Sequence, residues 1–84
     1  MTETRTAPRY RVKKPAEIDH GGDRIACMIR DISTTGAAIE FAYSTTMIPA
    51  KFTLLMPEDD LKLPCRVVWR NEFRVGVAFE EESE

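Results

Sequence analysis

Eighty-four residues allow one small domain, with a core sufficient for a compact barrel and no room for a second catalytic module. Hydrophobic residues make up 43% and charged residues 31%, the balance of a globular chain rather than a disordered one. No run approaches the roughly eighteen apolar residues of a membrane span, and the start Met1-Thr2-Glu3-Thr4-Arg5 lacks the apolar segment of a secretory signal, so no membrane insertion and a cytoplasmic setting are expected.

The net charge of −2 is unevenly placed. Arg5, Arg9, Arg11, Lys13 and Lys14 face only Glu3 in the first stretch, and the chain ends in Glu80-Glu81-Glu82-Ser83-Glu84. A general nucleic-acid binder is more often basic overall, so a basic start on an acidic chain points to a small anion. Cys27 and Cys65 lie far apart and form no C-x-x-C pair, and with the single histidine, His20, they do not make up a four-ligand zinc set. They read as reduced strand residues. Neither a nucleophile with its base nor a metal set can be assembled, so no enzyme, no catalytic residue, no metal and no cofactor are expected.

In chain order, residues 1–9 show no apolar period, and Pro8 biases Ala7 toward an extended backbone, which reads as a flexible arm. Tyr10-Arg11-Val12 opens a strand that Lys13-Lys14-Pro15 interrupts and Ala16 to Asp19 resumes, with Pro15 marking an edge or a bulge. His20-Gly21-Gly22-Asp23 is a hairpin turn. In the strand from Arg24 to Ile32, Ile25, Cys27 and Ile29 share one face; Asp31 falls on it unless a bulge has re-aimed the chain. Gly36 to Phe41 is the third strand, with Ala37, Ile39 and Phe41 together. After a loop from Ala42 to Ala50, Lys51 to Met56 is the fourth strand and Pro57-Glu58-Asp59-Asp60 an acidic turn. Leu61 to Trp69 is a long strand with Pro64 as its bulge and Trp69 as a core filler, and Arg74 to Phe79 closes the sheet. Six short strands with no helical period predict an all-β fold, a barrel or a strongly curled antiparallel sheet.

Two constellations carry chemistry. In Asp31-Ile32-Ser33-Thr34-Thr35-Gly36 a carboxylate and a hydroxyl two residues apart point to one face of an extended strand, and Gly36 permits a turn of positive φ. The bland alternative is a side-chain turn capping a strand end. Upstream, Arg5 and Arg9 stand four apart, and guanidinium groups suit both aromatic stacking and bidentate contact with phosphate or the O6/N7 edge of guanine. Arg11 is near enough to serve the same site.

In order and separation, Arg5-x-x-x-Arg9 followed by Asp31-x-Ser33-x-x-Gly36 resembles the PilZ domain family, which binds bacterial cyclic di-GMP. Cys65-Arg66-Val67-Val68-Trp69 and Val75-Gly76-Val77-Ala78-Phe79 also look like strands of that family. The resemblance implies a six-stranded antiparallel β-barrel. As a single PilZ-like domain over residues 1–84, the chain would comprise a ligand-clamping arm (1–9), a barrel (10–79) and an acidic tail (80–84), with little or no C-terminal helix. It implies that Arg5 and Arg9 clamp the ligand, that Asp31 accepts from guanine, that Ser33 fixes polar contacts and that Gly36 permits the turn; Arg11 is a possible addition. It further implies a second-messenger adaptor that regulates an unidentified protein partner in motility, exopolysaccharide production or biofilm formation. The alternatives are a barrel of the same kind that binds proteins and no nucleotide, or a small nucleic-acid-binding barrel using Arg9, Arg11, Lys13 and Lys14. Thr4 and Thr6 beside Arg5, where many members carry a further arginine, depart from the pattern.

Overall fold

The computed structural model describes residues 10–80. Six strands form a closed antiparallel barrel: β1 (Tyr10–His20), β2 (Asp23–Ile32), β3 (Gly36–Glu40), β4 (Lys51–Met56), β5 (Leu61–Arg70) and β6 (Arg74–Phe79). Their order around the barrel is β1-β2-β3-β6-β5-β4, with β4 returning to β1. Single 3-10 turns occupy Thr45–Met47 and Pro57–Asp59, and among the described residues no helix is long and apolar enough to cross a membrane. The expected arm and the expected lack of a C-terminal helix fall outside the described residues.

Alternation of side chains fills the barrel. Ile18, Ile29, Ile39, Leu54 and Val75, one from each of five strands, are fully buried, and Cys65 completes the set from β5. Burying an aliphatic side chain contributes about 1.5–3 kcal/mol, so this ring of β-branched and leucine side chains dominates the stability of so small a domain. Phe41, Ile48 and Phe52 close the core beside it.

Three register shifts decide which residues face outward. On β2, Ile29 pairs with Ile39 and Asp31 with Ala38, so Arg30 is an extra residue. The bulge turns Ile32 back toward the core and Asp31 out of the apolar stripe. On β1 the shift lies between Arg11 and Lys14. The strand therefore runs unbroken through Lys13-Lys14-Pro15, where an interruption was expected, because the extra residue is absorbed ahead of the proline. On β5 the shift lies between Val67 and Trp69.

That third bulge corrects two expectations. Pro64 is not bulged: it pairs in regular register with Thr53. Its carbonyl accepts from the Glu80 amide at 2.8 Å, on the side of β5 where β6 has already ended, so its missing N–H removes no bond to β4. Trp69, in turn, is not a core filler. With Val68 as the extra residue, its indole lies outside the barrel, 44% exposed, and Arg70 takes the inward register opposite Val75. The Arg70 Nη1 donates to the carbonyls of Thr45 and Ile48, fastening the 42–50 loop over the barrel end.

The barrel closes where β1 meets β4 through only Glu17↔Leu55, Ile18↔Leu54 and Asp19↔Thr53. Beyond that short seam, the Lys14 ammonium donates to Asp59 at 2.7 Å and bridges β1 to the turn after β4. The same carboxylate holds the Lys14 ammonium above the ordinary lysine range.

Candidate functional site

Ladder register aligns five outward residues in one row around the barrel. Arg11 is opposite Asp31, Asp31 opposite Ala38, Ala38 opposite Gly76, and Gly76 opposite Trp69. Directly paired residues of antiparallel strands project from the same face, so Arg11 and Asp31 stand side by side. Asp31 and Trp69 are three strand spacings of about 4.8 Å apart along the sheet.

The surface between them is made of the smallest residues. Gly36 pairs with Ala78 in the adjoining row, so Gly36, Ala38, Gly76 and Ala78 form a two-by-two block on the outer face of β3 and β6. Their chain neighbours Ala37, Ile39, Val75 and Val77 all point into the core. The Trp69 indole lies over Gly76, and beside it a planar ring system can approach the floor closely, because no long side chain rises from Gly36, Ala38 or Ala78. Around the floor stand charged groups. Glu40 meets Arg30 at 3.0 Å and Arg74 at 3.9 Å on one flank; on the other, Glu80 meets Arg66 at 3.5 Å and Lys51 at 3.9 Å.

Ser33 and Gly36 play structural parts here. The Ser33 hydroxyl accepts from the backbone amides of Thr35 and Gly36, each at 3.2 Å, and its own amide donates to the Gly36 carbonyl at 2.8 Å. This is the side-chain turn weighed as the bland alternative, and it fixes the path from β2 to β3. Gly36 does not take the positive φ expected of it. Among the described residues, positive φ occurs at Gly21, Gly22 and Asp60. Glycine is required at position 36 for a different reason: a Cβ there would collide with the Val77 carbonyl oxygen of β6.

Arg5 and Arg9, the expected clamp, lie outside the described residues; Arg9 immediately precedes Tyr10, the first residue of β1. Arg11, expected only as an addition, is in direct register with Asp31. Sequence reasoning missed Trp69, Gly76 and Ala78 as parts of the same surface. The alternation Val75-Gly76-Val77-Ala78-Phe79 carried the signal for two of them, since it sets the glycine and alanine on the face opposite the core.

Elsewhere the chemistry is quiet. Burial pushes the Cys27 and Cys65 thiols up to about 12, so neither is a ready nucleophile near neutral pH. Among the described residues, no three His, Cys, Asp or Glu side chains gather as a metal set. In comparisons with known proteins, the PilZ domain family model matches residues 3–84. No curated protein matches the chain.

Proposed function

The chain belongs to the PilZ domain family, and from that premise we propose that it is a receptor for cyclic di-GMP that regulates a protein partner. The observation that carries this reading is the row from Arg11 and Asp31 across Ala38 and Gly76 to Trp69. Cyclic di-GMP offers flat guanines and two anionic phosphates. The floor admits a flat base beside the Trp69 indole, which supplies a stacking face, the Asp31 carboxylate accepts from guanine N–H groups, and Arg11 serves a phosphate or a base edge. Arg5 and Arg9 supply the clamp in this reading, and Ser33 and Gly36 hold the turn that presents Asp31.

Such a receptor acts by changing the surface it shows to a partner. Trp69 on the floor is followed directly by Arg70, which holds the 42–50 loop, and that loop exposes Tyr43 and Met47. A ligand that moves the indole therefore pulls on the fastening of an exposed apolar loop.

Calorimetric titration with cyclic di-GMP, beside GTP and cyclic di-AMP, tests the reading. Saturable binding to cyclic di-GMP alone, weakened about tenfold or more by Arg9→Ala, Arg11→Ala or Asp31→Ala, is expected for charge-assisted contacts of about 1.5–3 kcal/mol each. No heat at about a hundred micromolar ligand would leave the alternative, an interaction barrel that binds no nucleotide.

A further inference from the structure

The receptor reading accounts for the floor and for its β1–β2 edge, but not for the cations on the opposite edge. Arg66 pairs with Ala78 of the floor on one side and with Lys51 of β4 on the other, so these two cations continue the row that Gly36 and Ala78 begin. Arg66 is the outward β5 residue before the bulge that turns out Trp69. Two residues of strand measure about 7 Å, so the Arg66 guanidinium is long enough to reach over the row that holds Gly76 and Trp69.

In this structure it reaches the other way, toward Glu80. The Glu80 carboxylate stands 3.5 Å from Arg66 Nε and 3.9 Å from Lys51 Nζ, on the outer face just past the end of β6. A carboxylate held between two cations marks a place where an anion is stabilised, here by one of the chain's own groups. The acid on the other flank is different. Glu40 lies within β3 and meets Arg30 at 3.0 Å, so it is anchored by the ladder and more tightly paired. Glu80 is held by looser, exposed pairs, which contribute little to stability and are readily exchanged. A phosphate diester presents two anionic oxygens to a guanidinium, the geometry arginine binds best.

Resting on the receptor reading, we propose that Arg66, with Lys51 beside it, is a phosphate-binding residue of the site and that Glu80 is its internal competitor. Binding exchanges the Glu80 carboxylate for a ligand phosphate and frees the Glu80 side chain from Lys51 and Arg66, while its amide stays on the Pro64 carbonyl. No covalent bond is made or broken; one anion takes the place of another beside the two cations. Glu80 thereby sets the affinity.

The test is the dissociation constant for cyclic di-GMP of the full chain and of Arg66→Ala, Glu80→Gln and the double variant, with Arg24→Ala as control for an exposed, ion-paired arginine elsewhere on the barrel. Arg66→Ala is expected to weaken binding about tenfold and Glu80→Gln to tighten it about two- to fivefold. The gain from Glu80→Gln should largely vanish when Arg66 is absent, and Arg24→Ala should stay within about twofold of the unmodified chain. Binding that neither Arg66→Ala nor Glu80→Gln alters overturns the proposal and leaves the receptor reading standing. So does a Glu80→Gln gain undiminished in the double variant, or a loss in Arg24→Ala equal to that in Arg66→Ala. Failure of the unmodified chain to bind cyclic di-GMP overturns both.

Discussion

Trp69 and Gly76 face each other across β5 and β6, and the indole occupies the space that a side chain at position 76 would need: a Cβ built there meets Nε1, Cε2 and Cδ1 of the ring. Glycine thus lets the indole lie down on the sheet. Because this is the only tryptophan, its fluorescence reports on that one contact.

Gly76→Ala is expected to lift the ring. The obstructing atoms belong to the far end of an exposed side chain, which can swing away, so the stability loss should stay below about 1 kcal/mol. Emission should shift to the red as the indole enters water, and cyclic di-GMP affinity should fall with it. An unchanged spectrum would place the ring elsewhere.

Gly36→Ala should behave differently although the added atom is the same. Here the obstacle is the backbone carbonyl of Val77, which moves only if β3 and β6 part. A loss of about 1–3 kcal/mol or more in urea unfolding is expected. Ser33→Ala, which takes an acceptor from two turn amides, should cost about 1–3 kcal/mol, because the exposed Thr35 amide can find water while the amide of buried Gly36 loses its partner.

Arg70→Ala removes the donor shared by the Thr45 and Ile48 carbonyls. Hydrogen exchange should accelerate across residues 42–50 and leave the core of β2 and β3 protected. Where the fastening is coupled to the neighbouring indole, the same variant also shifts Trp69 emission.

The thiols give a pH dependence of known sign. Cys27 and Cys65 keep their protons to about 12 in the folded chain, mainly through burial, against an ordinary value of 9.0. Above about pH 9 the unfolded chain releases thiol protons that the folded chain retains, so their contribution is fully present below that pH and is lost between about 9 and 12. Urea midpoints should therefore decline across that window less steeply in Cys27→Ala and Cys65→Ala than in the unmodified chain. Alkylation should be slow in the folded protein and fast in urea.

Much of the barrel was legible because its strands alternate strictly where they are regular. Ile25, Cys27 and Ile29, or Ala37, Ile39 and Phe41, declare their inner face by period alone. What escaped was set by single extra residues. Val68 carries no signature of a bulge, so counting by twos from Cys65 placed Trp69 inside and Arg70 outside, the reverse of the arrangement found. The proline at 64, a recognised sign of irregularity, was misleading because β6 ends beside it. Asp31 was the readable case, since a carboxylate at the end of an apolar stripe is itself a contradiction that a bulge resolves. Arg11 came into direct register with Asp31 only through the shift on β1, which lies between Arg11 and Lys14, just ahead of the proline that signalled an edge or a bulge.

The short seam between β1 and β4 gives this geometry a mechanical meaning. Among the described residues, three ladder pairs join β1 to β4 and one exposed ion pair joins β1 to the turn that follows β4, so the ring has a clasp, and the strand bearing Arg11 hangs chiefly from β2. A ligand gripped by Arg11 at one end and Trp69 or Arg66 at the other would tie β1 to β5 over the outside of the wall, as a rivet through overlapping plates. The loaded barrel would then resist opening by a route its own hydrogen-bond ladder does not provide.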